Sequence, residues 1–483
     1  MKRAIYFLAI VLAAIGPIAV APAADGPSPD EHAARAFPRP ADLEPQIAFW
    51  RAIFTQYSKH EVVLHDALHL DKVYVVLDFR QHVDDGMEPG ELATLERIET
   101  DLAVERLRAT LLRLHAMGEH PEGLAPDEQR IHDLLADDPA PDRYLAAADD
   151  KRLHTQRGLR ERFGDGIRVS RRYLPEMERI FRSEGLPPEL TRLPLIESCF
   201  NVDAYSKVGA AGIWQFMPST GRLFMRVDNL VDERRDPLAS TRAAAQFLDR
   251  VHDSLGTWPL AITAYNHGPD GMARAVDEVG TTDIGRIVRE YRGRAFGFAS
   301  RNFYAEFLAA LDVERDSRSY FGDVPAEPPF RLHERRLERP LGIEAAARLA
   351  RTDREELASL NPALSGLVVS GRRPIPAGYQ LRLPESGTTG FEARMTEFGA
   401  EEHVTRVATP AVARPVHATA SARTRPAVRT AVLTYRVRSG SRSHAAVARK
   451  ASAHPPKKTG RPARSARARG GQKTRSGRTA QTA

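Results

Sequence analysis

Glu197 and Ser198 end a short apolar run, Leu193-Pro194-Leu195-Ile196, and Gly212-Ile213-Trp214-Gln215 follows closely. About fifty residues beyond Gln215 stands Ala264-Tyr265-Asn266. A carboxylate among apolar neighbours, with a Gln and a Tyr-Asn pair at hand, suits cleavage of a sugar polymer. The leaving glycosidic oxygen needs a proton, so one acid must stay protonated near neutral pH. Burial against Leu, Ile, Phe and Trp raises a carboxyl pKa in that direction.

These residues need elements to hold them, and residues 166–316 read as short helices joined by Gly-rich loops, with no alternating strand pattern. Pro187-Pro188 is expected to open a helix reaching Ile196, with Pro194 kinking or ending it just before Glu197. Ser240 is expected to cap a helix that runs through Leu255 and stops at Gly256. Residues 44–165 also read as helical: Ile47, Trp50, Phe54 and Tyr57 recur at helical spacing, as do Val104, Leu107, Leu111 and Leu114. No catalytic constellation falls there, and a packing module is the expectation. Residues 25–45 are rich in Pro and Ala and are expected to be unstructured.

The three motifs in this order resemble the lytic transglycosylases, and more closely the branch of membrane-bound lytic murein transglycosylase D. The resemblance rests on Glu197-Ser198, Ser206, the run Gly209-Ala210-Ala211-Gly212-Ile213-Trp214-Gln215-Phe216-Met217-Pro218-Ser219-Thr220, and Ala264-Tyr265-Asn266. It covers roughly residues 185–315. It implies a mainly α chain with a goose-lysozyme-like catalytic domain at 166–316, and peptidoglycan glycan strands as the partner. The implied reaction is non-hydrolytic cleavage between N-acetylmuramic acid and N-acetylglucosamine, leaving a 1,6-anhydro end. One carboxylate suffices: it protonates the leaving oxygen, then takes the proton of the muramyl 6-hydroxyl as that oxygen attacks C1. No cofactor and no metal enter this chemistry.

Carried over by position, Glu197 is the acid and base, while Ser206, Gln215, Tyr265 and Asn266 hold sugar or orient the Glu. Ser198 either orients Glu197 or caps the next element, and Trp214 either stacks on a sugar or packs in the core. The family's Glu-Thr-x-x-Tyr stretch is replaced here by Ala299-Ser300-Arg301-Asn302-Phe303-Tyr304. Tyr304, the remaining substrate-binding candidate, therefore stands one residue late, about 100° round a helix. A hydrolytic muramidase would need a second carboxylate. Asp203 reads as loop structure, and Asp232, Glu233 and Asp236 read as ion pairs and helix capping. A non-catalytic peptidoglycan-binding protein is the alternative from another class.

Net charge is +7, yet residues 403–483 hold 19 Lys and Arg and no acid, which leaves residues 1–402 at −12. That tail cannot bury a core and reads as disordered. Residues 1–24 have the form of a cleaved signal peptide: Lys2 and Arg3, an apolar run to Ile15, then Ala21-Pro22-Ala23-Ala24. The expected location is the periplasm or cell envelope, where the tail would meet anionic polymers or lipids and not nucleic acid. Cys199 is the single cysteine, so the chain forms no internal disulfide, and no lipid-accepting Cys stands near the cleavage point. Packing is its expected role.

A Pro-rich linker at 323–329 precedes residues 340–384, a small α+β unit that faintly resembles a LysM module. Two short helices, the turn Asn361-Pro362 and a closing strand at 379–383 carry that likeness. The island Tyr435-Arg436-Val437-Arg438-Ser439-Gly440 looks like half of another.

Overall fold

Residues 34–325 and 333–398 are described by a computed structural model. The leader, the 403–483 tail and its island lie outside the described residues, as do 326–332. The fold is mainly α, as expected from the sequence.

The N-terminal region departs from the all-helical expectation. After α1 (Glu44–Thr55) the chain forms β1 (Glu61–Asp66) and β2 (Val73–Asp78), then α2 (Pro89–Met117) and β3 (Leu153–Arg157). The strands make an antiparallel sheet in the order β2-β1-β3, with Val63 opposite both Val76 and Gln156. Val62-Val63-Leu64 and Val73-Tyr74-Val75-Val76 are β-branched and aromatic runs, too short for a helical period and well suited to a pleated surface. Leu107, Leu111 and Leu114 of α2 pack with Leu64 and Tyr74 into one core. The helical spacing of these leucines was real; the strands between were not visible in it.

The described part of 25–45 is also ordered, against expectation. Phe37 is buried edge-on to Phe307 with ring centroids 5.3 Å apart, and Arg39 pairs with Asp312 at 2.8 Å. A buried aromatic and the ion pairs of Arg39 with Asp312 and of Asp42 with Arg289 fix a segment whose Pro and Ala content suggested no order.

Further helices include α3 (Arg160–Ser183), α4 (Leu193–Ser198), α5 (Pro237–Leu255), α6 (Trp258–His267), α7 (Pro269–Val279) and α8 (Phe298–Arg315). Helix α8 runs through the core, packed on α1, α4 and α6. The cap of α5 is Asp236, whose Oδ1 accepts from the amides of Leu238 (3.0 Å) and Ala239 (2.9 Å). Ser240 lies inside the helix, its hydroxyl donating to the Asp236 carbonyl. The sequence holds two cap candidates four residues apart, and Pro237 at the first helical position favours the earlier one. Gly256 ends α5 at φ 79°, as read from the sequence.

Residues 333–398 fold as β4 (Glu334–Arg336), α9 (Ile343–Leu349), α10 (Arg354–Leu360), α11 (Gly366–Val369) and β5 (Gln380–Arg382), with the two strands antiparallel. Asn361 fastens the unit: its amide nitrogen donates to the carbonyls of Leu357 and Arg382, and its oxygen accepts from the Arg382 amide at 2.9 Å. The unit is joined to the loop before α5. Ser365 N–H donates to Leu230 O at 2.9 Å, Asp232 N–H donates to Ala363 O at 2.8 Å, and Val231 enters the unit's own apolar core.

Candidate active site

Glu197 lies inside α4, in its last turn. The expected break at Pro194 does not occur: a 3-10 turn, Pro188–Arg192, leads into α4, and Pro194 sits in its first turn where it lacks no hydrogen bond. The following residues, Cys199 and Phe200, take positive φ of 50° and 53°, which reverses the chain sharply. Glu197 is enclosed by protein on nearly all sides yet keeps a solvent-reachable edge. Among the described residues it has no hydrogen-bond or ion-pair partner. Burial alone pushes its carboxyl up to about 8, so it carries a proton at neutral pH.

Facing it is the loop 204–217. Ser206 closes this loop: its Oγ accepts from the Ala210 amide at 2.9 Å, and its own amide donates to the Ala210 carbonyl. Ser198 neither caps an element nor touches Glu197. Its hydroxyl donates to Ile213 O at 2.9 Å and Pro194 O at 3.3 Å, tying the helix of the acid to the loop. Gln215 stands at φ 49°, its amide nitrogen donating to Gly212 O at 2.7 Å. Tyr265 reaches from α6 to donate to Trp214 O at 2.7 Å, and the charge of Glu197 adds to burial in holding its phenol protonated. Asn266 is exposed, its Oδ1 accepting from Ser300 of α8 at 2.7 Å. Of the residues singled out from the sequence, Tyr265 feels the charge of Glu197, Ser198 ties the helix of the acid to the loop, and Ser206 and Gln215 fold that loop, while Asn266 is held by Ser300.

The stretch that holds this geometry, residues 178–288, matches the family described as Transglycosylase SLT domain. These residues form an SLT domain. The chain is also 29% identical over 223 residues to membrane-bound lytic murein transglycosylase D of Escherichia coli (strain K12), and equally to its counterpart in Escherichia coli O6:H1. The alignment takes in 43% of this chain and 47% of each relative, so the chain spans about half the length of the curated relatives it matches. A solved structure, that of an inactive mutant of the lytic transglycosylase Slt from Pseudomonas aeruginosa, aligns at a TM-score of 0.24 and 22% identity, over 32% of this chain and 24% of that one.

Two candidates are committed elsewhere by their hydrogen bonds. Tyr304 is buried, and its hydroxyl donates to Pro38 O at 2.8 Å. The one-residue offset turned it toward the N-terminal segment, and Phe303 in its place is core. Trp214 is fully buried, stacked on Phe181 with centroids 5.9 Å apart, and its indole N–H donates to Thr241 Oγ1. It packs and does not present a face to sugar. Cys199 has its thiol pushed up to about 11 by burial, so it is no nucleophile at neutral pH. Asp203 is exposed on the loop, its amide donating to Asn201 Oδ1.

Two further residues were not singled out from the sequence. Arg234 is 3% exposed; it pairs with Asp232 at 2.7 Å and donates to the carbonyls of Gly209 (2.7 Å) and Phe216 (3.0 Å), bracing both ends of the loop. Glu306, on α8, has its carboxyl pushed up to about 8, first by burial and then by the charge of Glu197. Its signal was present: a lone acid inside Phe303-Tyr304-Ala305-Glu306-Phe307-Leu308-Ala309-Ala310.

Proposed function

We propose that this protein is a peptidoglycan lytic transglycosylase. It cleaves the bond between N-acetylmuramic acid and N-acetylglucosamine without water and leaves a 1,6-anhydro end. The observation that carries this reading is Glu197: an unpartnered carboxylic acid, protonated at neutral pH, set among directed amide and hydroxyl groups. In the first step Glu197 gives its proton to the glycosidic oxygen as the C1–O bond breaks. In the second, the resulting carboxylate takes the 6-hydroxyl proton while that oxygen bonds to C1, which returns Glu197 to its acid form. A low-dielectric setting favours the neutral acid before the reaction and makes the carboxylate a stronger base after it.

The amide of Gln215 and the side chains of Tyr265, Asn266 and Ser206 are proposed to hold sugar or orient the acid. Residues 1–24 are proposed to export the chain to the periplasm or envelope. Residues 340–384 are proposed to be a LysM-like glycan-binding unit, and the 403–483 tail to meet anionic envelope polymers or lipids.

Mass spectrometry of products from purified sacculi tests the reading: anhydromuramyl ends are expected, and reducing ends alone would replace it with a hydrolytic muramidase. Glu197→Gln is expected to abolish cleavage while the protein still sediments with sacculi. Surviving lysis would remove Glu197 from its role.

A further inference from the structure

From Ile284 to Arg301 the chain carries Arg286, Arg289, Arg292, Arg294 and Arg301 against one acid, Glu290, inside a body whose net charge is −12. Arg289, Arg292 and Arg301 line a cavity of about 250 Å³ together with Gln46, Leu68 and His69. It opens where the turn between β1 and β2 meets the short helix Ile284–Glu290 and the first turn of α8. Among the described residues that line it there is no carboxylate.

The nearby acids are already taken. Glu290 pairs with Arg286 at 3.0 Å, Asp42 with Arg289, and Asp66, beneath the β1–β2 turn, with Arg152 at 2.6 Å. Arg301 is half-buried and donates only to main-chain carbonyls, those of Val288 (2.6 Å), Tyr291 (2.8 Å) and Phe296 (3.3 Å). Arg292 is exposed and donates to the Tyr291 carbonyl at 3.2 Å. Carbonyls satisfy N–H groups but cancel no charge, and a guanidinium has five N–H groups to place. Two cations on one concave wall without a counter-charge are costly, and an anion entering the cavity relieves that cost.

The cavity lies beside the sugar-holding residues. Arg301 directly follows Ser300, whose hydroxyl holds Asn266 at 2.7 Å. The Arg301 guanidinium stands 5.3 Å from the centre of the Phe296 ring, and His267, next after Asn266, meets the same ring edge-on at 5.0 Å. Asn266 and the cavity therefore flank one turn of α8.

We propose that this cavity is a carboxylate subsite for the peptide stem of the glycan strand, with Arg292 and Arg301 as its cationic wall. This rests on the transglycosylase reading. A muramyl residue held at Asn266 carries its peptide on the lactyl group, and a stem of three or four extended residues spans roughly 10–14 Å. The planar fork of an Arg matches a carboxylate with two parallel hydrogen bonds. A concave wall backed by a half-buried Arg suits one small anionic group better than it suits a flat membrane surface.

The test is Michaelis kinetics of the full chain on soluble peptidoglycan strands and on the same strands stripped of peptide by an amidase. The parent, Arg292→Gln and Arg292→Lys are compared, with Tm recorded for each. Arg292 is the residue to change because it is exposed and its one bond is to its neighbour's carbonyl, so folding is spared. On peptide-bearing strands Arg292→Gln is expected to raise KM about tenfold, the loss of one charged hydrogen bond, with kcat within about twofold of the parent. Arg292→Lys should recover part of it. On stripped strands the parent should itself show the raised KM, and Arg292→Gln should add nothing. A KM that rises equally on both substrates, or on neither, overturns the subsite. So does Arg292-dependent capture by phosphatidylglycerol vesicles if the parent handles the two strands alike, since the arginines would then face lipid. If the parent releases no anhydro ends, the transglycosylase reading fails and the cavity is judged by calorimetric titration instead. A disaccharide-peptide should bind the parent about tenfold tighter than its carboxyl-amidated form, and Arg292→Gln should bind both alike; equal binding by the parent overturns the subsite whatever the activity.

Discussion

Asp236 and Arg382 form a buried ion pair that joins the SLT domain to the C-terminal unit. Arg382 Nη2 donates to Asp236 Oδ1 at 2.8 Å and Nη1 to Oδ2, and each side chain is only 6% exposed. The same Oδ1 caps α5, so one carboxylate serves a helix and a domain contact together. Arg382 also reaches Glu334 at 3.1 Å, which pins strand β4 to the same charge cluster. Removing one partner leaves the other charge buried and unpaired. Arg382→Met should therefore lower unfolding free energy by about 3–5 kcal/mol in chemical denaturation. The double change Asp236→Asn with Arg382→Met should recover part of that loss. A loss under about 1 kcal/mol would mean the contact is not a fixed joint.

Arg234 translates that joint into the groove. It sits two residues before Asp236 and its guanidinium holds Gly209 and Phe216, the ends of the loop that carries Gln215. Gly212 lies under the same residue at φ 73°, where an added Cβ would stand 1.9 Å from the Arg234 carbonyl oxygen. Arg234→Lys keeps the charge but loses the planar fork that spans two carbonyls and a carboxylate. Activity on sacculi should fall by about 10²-fold, as for a misplaced catalytic loop, while the far-UV spectrum stays that of the parent. Gly212→Ala should be worse, since it adds a clash to a strained backbone, and should show it as a lower Tm.

The sequence carried the chemistry of this site better than its surroundings. Glu197, Gln215, Tyr265 and Asn266 could be singled out because their types and order match the motifs of the family that the chain resembles. The β1–β3 sheet was not legible, since buried strands of five or six residues have no period that a helical scan can reject. Tyr304 and Trp214 failed for another reason. Both are aromatic and both lie beside the site, but direction on a helix or turn is set by tertiary packing, here by Pro38 and Thr241. Glu306 gives no signal of a loop or a charged cluster, since it sits within the buried stretch Asn302–Ala310 of α8.

Tyr304 gives a sharp check on that correction. Its hydroxyl is bonded to Pro38 and not to the groove, so Tyr304→Phe should leave kcat/KM within about twofold of the parent. Stability should drop by about 0.5–1.5 kcal/mol, the usual loss for one hydrogen bond. Tyr265→Phe should behave in the opposite way, because it frees the Trp214 carbonyl beside Glu197. Its activity should fall at least tenfold with a similar stability loss. Equal effects from the two changes would return Tyr304 to the site.

The acid itself imposes a pH dependence on stability whose sign follows from its surroundings. Glu197 and Glu306 ionise near 4.5 in an open chain and near 8 in the folded protein. Both pKa values are raised on folding, so the folded state binds more protons than the unfolded one in that window. Their favourable contribution is complete below about 4.5 and is lost as pH rises through about 8. Tm measured by calorimetry should therefore decline from pH 5 to pH 9, once carboxylates with lowered values such as Glu176 and Asp228 have ionised. Glu197→Gln, uncharged at every pH, should flatten this decline and be more stable than the parent at pH 9 while being inactive. A Glu197→Gln protein that loses Tm with the same slope as the parent would place the acid in water, and the neutral acid required for protonating the leaving oxygen would be gone.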